Sequence, residues 1–466
     1  MDGKALDARM WAEQEFSMAS LGDERRTRRL VQVAAGLAER PTGTLPGAFE
    51  EWSELKGAYR LLSCPQVTHE RILSDHWERT RQRCGLGGEY LLAEDSTELD
   101  FKDHPGVKGR GRVSAQDGHA LFVHTTLAMA VARWDEEEWP EVTGVGLFGQ
   151  RYWVRGPTVH PQRESDHRRL NRKHRESQRW AAVFDRTGGP PWGVRWTYLA
   201  DREGDIYEVF GQCRRHEADW IVRANHPRAL AESGKSVLQK VAESPVLGRY
   251  KTFIRSRANR PARWAVLEVR VCRVTLRGPY RPGGRPEPIP MNVVEAKEVD
   301  GPAQDSIHWV LLTSWACESF AAARRVIHAY GRRWLIEEYH KALKTGTRME
   351  ETQLATAERI EALLGILALV AVRWLNTKLE AATHPDEPLD LAAVAPEAEV
   401  ILTKKIGRPR AGWTNASALS AVARLGGFIG RKSDGRPGWL TIWRGWQRLM
   451  AMAEGYALAK EAQKCG

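Results

Sequence analysis

With 466 residues the chain is long enough for two or three domains around a sizeable core. Its 70 Lys and Arg outnumber 59 Asp and Glu, giving a formal charge of +11 and a pI near 9.4, a balance that favours a polyanionic partner, nucleic acid before a membrane surface. Six scattered cysteines without a CxxC argue against a disulfide framework or a structural zinc site, and the charged stretch MDGKALDARMWAEQEF does not read as a signal peptide, so a cytoplasmic protein is expected.

Residues 8 to 75 read as short helices joined by turns. Asp23 is a candidate N-cap for a helix whose apolar stripe is Leu30, Val31, Val33, Ala34 and Leu37. Arg25, Arg26, Arg28 and Arg29 crowd its first turns, where the helix dipole disfavours cations. An anionic ligand explains that placement better than stability does, and a helical module of this size suits DNA binding, although solvated arginines also fit. Helices over about 51–62 and 68–82 follow.

From residue 88 the pattern changes to strands at 90–97, 120–130 and 142–154. A basic helical pattern covers 165–184, then a strand at 196–201, a helix over about 205–216 and a strand from 219. This is a mixed α/β order in which Asp95 and Asp201 each end a predicted strand, where open α/β sheets place their sites. Residues 227 to 308 break the alternation: Leu267, Val269 and Val271 alternate with Glu268 and Arg270, and Gly/Pro runs cut the stretch into short strands. An all-β insertion is expected there, before a strand at 309–314 restores the pattern.

One long helix is expected from Glu318 to Lys344, ending in YGRRWLIEEYHKALK. At about 100° per residue, Tyr330, Arg333, Glu337 and Lys344 fall at about 0°, −60°, −20° and −40°, while Leu335, Ile336, Tyr339, Ala342 and Leu343 form the opposite, apolar face. A solvated face with i,i+4 ion pairs is the ordinary account of such a stripe. However, a phenol, a guanidinium and an ammonium around one carboxylate suit a phosphate held beside a metal ligand. Beyond it, 358–378 reads as a buried helix and not a membrane span, 383–411 as loop with a basic run at Lys404 to Arg410, and 417–428 and 439–461 as helices. The last carries Trp443, Trp446, Leu449, Met450 and Ala453, a stripe that suits a partner helix or intramolecular packing equally well.

Asp95, Asp201 and Glu337 together make three hard carboxylates, a set that holds Mg²⁺ or Mn²⁺ and not zinc. Two such ions about 3.5–4 Å apart can activate a water or 3′-hydroxyl and stabilise the leaving oxygen at phosphorus.

The spacing Tyr330-x2-Arg333-x3-Glu337-x6-Lys344 resembles the YREK signature of DDE transposases of the insertion-sequence-four family, most closely the transposon-five type. Asp201-Arg-Glu-Gly-Asp205 is similar to that family's DREAD segment, and Glu94-Asp95-Ser-Thr to the segment around its first catalytic Asp. LGDERRTRRLVQVAAGLA, GAYRLL, NHPR, HWVLLTS and ARLGGFIG extend the similarity over nearly the whole chain.

This resemblance implies an α/β, ribonuclease-H-like catalytic core (76–380), a mixed sheet with flanking helices interrupted by the all-β insertion at 227–308. It also implies a helical N-terminal DNA-binding domain (1–75) and a helical C-terminal dimerisation domain (381–466). The implied activity is cut-and-paste transposition at the bacterial nucleoid by a homodimer acting on terminal inverted repeats and target DNA. Asp95, Asp201 and Glu337 would bind two Mg²⁺ or Mn²⁺ ions for nicking, hairpin formation, hairpin opening and strand joining. Trp309 would stack an extruded base, Tyr330, Arg333 and Lys344 would grip the 5′-phosphate side of the cut, and Arg223 would contact DNA. Asn225, where the relatives carry a basic residue, and the poorly matching 102–118 leave end-sequence specificity open. No Met lies between Met18 and Met129, so a shortened inhibitor begun at an internal Met is not expected. An inactive DNA-binding derivative and a nuclease without strand transfer are the competing readings.

Overall fold

The computed structural model describes residues 7–40, 44–49, 51–101, 120–135, 138–154, 188–254, 261–281, 284–302, 304–391, 397–431 and 434–465. The basic helical pattern expected at 165–184 and the whole of the poorly matching 102–118 lie outside them.

Among the described residues five helices come first: α1 (Ala8–Phe16), α2 (Glu24–Glu39), α3 (Leu45–Ala48), α4 (Trp52–Leu62) and α5 (His69–Arg83). Asp23 caps α2 by accepting the Arg25 N–H, and the expected stripe buries Leu30, Val33, Ala34 and Leu37. A nine-stranded sheet follows, built from β1 (Gly88–Asp100), β2 (Ala120–Arg133), β3 (Glu141–Trp153), β4 (Val194–Ala200), β5 (Asp219–Arg223), β6 (Val246–Ile254), β7 (Arg263–Leu276), β8 (Ile289–Val299) and β9 (His308–Thr313). Their order is β3-β2-β1-β4-β5-β9-β8-β7-β6. The first three strands form an antiparallel meander, β4 and β5 run parallel to β1, and β9 returns antiparallel to β5. This is the mixed sheet of a ribonuclease-H-like core.

The stretch expected as an all-β insertion and not as a separate domain joins that core: β8, β7 and β6 add successively to β9 and lengthen the same sheet. It is not all β. Between β5 and β6, the helix α7 (Val237–Ala242) begins at a capping box of Ser236 and Gln239, a polar local signal that the hydrophobic alternation does not reveal.

Side chains alternate across the sheet. Leu91, Ala93, Leu199 and Leu311 join one core with the helices α8 (Phe320–Gly331), α9 (Trp334–Lys341) and α10 (Ala357–Thr383), while Leu92, Tyr198, Val222 and Leu312 join a second core with α6 (Tyr207–Arg215) and α7. α10 is apolar and long enough to cross a membrane, yet it is mostly buried and packs on α2, α4, α5 and β3. Its contact with β3 is close: a Cβ on Gly144 would lie 1.8 Å from Asn376 Oδ1, so that side chain would have to turn away. Two residues along, Gly146 (φ +149°) admits the His76 ring of α5.

α11 (Ala398–Ile406), α12 (Asn415–Leu425) and α13 (Trp439–Cys465) close the chain. α11 takes up Lys404 and Lys405, so the basic run expected as loop begins in a helix. Trp443 and Trp446 pack on Trp374 of α10, and Trp446 Nε1 donates to Glu39 O at 3.0 Å. An Arg40–Glu454 ion pair at 2.8 Å ties the same two regions together.

Candidate active site

Register places the first two acids. β1 and β4 are parallel partners up to Glu94 and Ala200, so Asp95 and Asp201 are the next residues on neighbouring strands. By alternation both belong to the face of Ala93 and Leu199, towards α8 and α9. Asp201 does end its strand and caps a 3₁₀ turn, accepting the Glu203 N–H at 2.8 Å. Asp95 does not: β1 runs on to Asp100, and Asp95 sits mid-strand opposite Thr125 of β2. The strand outlasts its parallel partner because its antiparallel pairing with β2 continues, which an apolar run ending in acid cannot foretell.

The third acid is delivered by a broken helix. The expected continuous helix from Glu318 to Lys344 is instead α8, a tight turn at Arg332–Arg333, α9, and a π turn over Ala342–Gly346. Arg333, Leu335 and Ile336 donate backbone N–H groups three residues back, the 3₁₀ pattern. Here the chain is held from outside: Arg332 Nε donates to Pro140 O at 2.6 Å, and Gly331 lies so close to the Trp139 ring that a Cβ would come within 2.9 Å. The apolar face survives the break, burying Ile336, Tyr339, Ala342 and Leu343. Gln150 of β3 fixes α9 to the sheet, donating to Tyr339 OH (2.9 Å) and Thr125 Oγ1 (3.0 Å) and meeting His69 of α5 at 2.9 Å.

Arg333 links two of the acids. Its Nη2 donates to Glu337 Oε1 at 2.6 Å, and its Nη1 lies 3.9 Å from Asp95 Oδ2. Burial, the Asp201 charge and, more weakly, Glu337 push the Asp95 carboxyl up to about 7, against the opposing pull of Arg333 and the Ser96 N–H. Burial works against the Arg333 charge, but Tyr330, Glu337 and Asp95 outweigh it and raise its pKa. Negative charge in this cluster therefore exceeds what its own guanidinium neutralises, and oxygen is the only donor the three acids offer. That donor set fits a hard divalent cation.

Other expected residues gather at the same rim. Trp309 packs edge-on against Tyr330 with ring centroids 5.2 Å apart, and Arg333 lies 5.8 Å from the Tyr330 ring. Tyr330 is buried and not on an open stripe, because the tight turn faces its ring towards β9; burial raises its pKa. Arg223, at the end of β5, donates to His308 O at 3.0 Å, and its own pKa is lowered by burial. Lys344 leaves the helical stripe in the π turn, where it lies 3.8 Å from Glu350. The remaining arginines make contacts within the N-terminal helices: Arg25 with Asp23, Arg26 with Leu21 O, and Arg29 against Gly57. Arg25 and Arg26 thus answer their helix dipole partly with local partners.

The sequence reading missed two residues. Glu94 faces the second core, where burial pushes its carboxyl up to about 8 and Thr126 Oγ1 donates to it at 2.9 Å. His340 lies 3.8 Å from Asp95 Oδ2, with burial holding its pKa down to about 3. Its position three residues past Glu337 on a helix was the available signal. Glu380, His384 and Glu387 place one donor each within 4.8 Å of one another, but His384 is already paired with Glu380 and Asn415 donates to Glu387.

Comparison with known families gives three matches in chain order. Residues 8–67 match a family model described as transposase DNA-binding, residues 159–373 one described as transposase DDE domain, and residues 382–466 one described as transposase Tn5 dimerisation domain. Asp201 and Glu337 fall within the second match, and Asp95 precedes it.

Proposed function

The chain belongs to the DDE transposases of the Tn5 type, a DNA-binding, dimerising enzyme dependent on divalent metal, and from that premise we propose that Asp95, Asp201 and Glu337 are its catalytic carboxylates. The observation that carries this reading is their convergence: Arg333 reaches both Glu337 and Asp95, Asp201 follows the strand residue paired beside Asp95, and burial and the Asp201 charge push the Asp95 carboxyl up to about 7.

On this reading the three acids hold two Mg²⁺ or Mn²⁺ ions, which when bound activate a water or 3′-hydroxyl and neutralise the leaving oxygen. The residues around them manage the DNA. Arg333 turns from Glu337 to a phosphate, presenting its planar fork, with Tyr330 supplying a hydroxyl and Lys344 a point charge on the 5′ side of the cut. Trp309, at the start of β9, stacks an extruded base, and Arg223 holds the neighbouring backbone. α2 and the helices around it read the terminal inverted repeats through Arg25, Arg26 and Arg29, and residues 382–466 pair two copies so that both ends are cut together. The sequence of events is nicking, hairpin formation at the transposon end, hairpin opening, and joining of the 3′-OH to target DNA at the nucleoid.

Incubating the protein with Mg²⁺, terminal-repeat DNA and a plasmid target tests this. Joined products support cut-and-paste transposition. Cleavage without joining points to a nuclease, and salt-sensitive binding alone points to an inactive DNA-binding derivative.

A further inference from the structure

Asp95 has two oxygens with different surroundings. Oδ1 accepts the Ser96 N–H at 2.9 Å, whereas Oδ2 is flanked by Arg333 Nη1 at 3.9 Å and His340 Nδ1 at 3.8 Å. The two flanking groups are not equivalent. Arg333 is needed at the DNA under the function proposed above, and a guanidinium that moves to a phosphate no longer steers Asp95. His340 cannot follow it: the ring is buried between α9 and the sheet, only 6 % exposed, and its Nε2 has no hydrogen-bond partner. A buried ring nitrogen left without a partner is costly, and a role for the other nitrogen is one reason a protein retains such a group.

We infer that His340 is the positioning residue for Asp95: its Nδ1–H donates to Oδ2 when Arg333 engages DNA, fixing the carboxylate's direction towards the metal. The inference rests on the carboxylate assignment made above. Such outer partners govern metal affinity because a ligand that must first be oriented binds more weakly, and their loss typically lowers metal affinity or activity about 10–100-fold. A histidine that merely fills space predicts no difference between substitutions of the same size, since an apolar side chain would then serve the site as well as a polar one.

Leu and Asn have nearly the same shape and differ in the donor, so His340→Leu and His340→Asn separate the two accounts. The full-length protein bound to pre-cleaved terminal-repeat DNA, the state in which Arg333 has left Asp95, is titrated with Mn²⁺ and free ion is followed by electron paramagnetic resonance, with Asp95→Asn on the same DNA as the reference for loss of the site. His340→Leu is expected to bind Mn²⁺ about 10–100-fold more weakly and His340→Asn to stay close to wild type, while both retard terminal-repeat DNA normally. Equal affinities for the Leu and Asn variants, at either level, overturn the inference. If Asp95→Asn itself binds Mn²⁺ like wild type, the carboxylate assignment has failed instead, and the two failures are told apart by that reference alone.

Discussion

Asp95 and Asp201 stand side by side because each is one residue beyond the last parallel pair, Glu94 and Ala200, of β1 and β4. Two acids brought together by backbone register cannot move apart without unzipping the centre of the sheet. Asp201→Asn keeps the side chain's size and removes its charge. Cleavage of terminal-repeat DNA should fall by about 10³-fold or more, as for loss of a preorganised charge-stabilising group, while gel retardation of the same DNA is unchanged. A variant that still cuts refutes the role given to Asp201.

Arg333 is proposed to exchange a carboxylate for a phosphate, and this depends on the fork as well as the charge. Arg333→Lys preserves the charge and should leave the salt dependence of DNA binding nearly intact. End cleavage should drop by roughly 10²-fold, the scale of a small misplacement of reacting groups. Parallel binding and single-turnover measurements check it, and proportional losses in both would argue for a plain electrostatic role.

The crossing of α12 and α13 has no room for a side chain at Gly445, where a Cβ would sit 1.7 Å from Val422 O. Backbone cannot yield as a flexible side chain does. Gly445→Ala should therefore destabilise by about 1–3 kcal/mol or more, lowering the thermal midpoint and weakening the dimer in sedimentation. An unchanged midpoint would mean that the two helices do not cross this closely in solution.

Glu15 of α1 meets His76 at 2.7 Å and Arg79 at 3.0 Å on α5. Burial raises its pKa, but His76 and Arg79 overcome that and hold it down to about 2. A carboxyl depressed in the folded state contributes stability above its unfolded value, near 4.5, and loses it as pH falls towards 2. The contribution is at most on the order of 3 kcal/mol. Glu15→Gln should lower stability at neutral pH and flatten the acid limb between pH 4.5 and 2, as followed by chemical denaturation at each pH.

Local chemistry was legible in the sequence to different depths. Asp23 announced the start of α2, and the apolar face of α9 was readable because Ile336, Tyr339 and Leu343 repeat at helical spacing. The break before α9 was not, because its causes, Trp139 and Pro140, lie almost two hundred residues upstream. For the same reason the burial of Tyr330 against Trp309 escaped a helical wheel, which shows phase along one helix and nothing of what lies opposite. The joining of residues 246–299 to the main sheet depends on β9 pairing with both β5 and β8, a long-range choice that alternation within each strand leaves open. His340 was visible as a letter, but its meaning lies in its distance to Asp95, which only the fold sets.

That single unbroken sheet has a mechanical corollary. Asp201, just past the C-terminal end of β4, and Trp309 on β9 are separated by two strand spacings, roughly 10 Å across the sheet, through ladders that a sliding or rotating domain could not preserve. Under the roles proposed above, a base stacked on the indole is therefore anchored at a constant backbone offset from the phosphate at Asp201. The protein carries a built-in caliper, and its setting changes only if strands are inserted or lost.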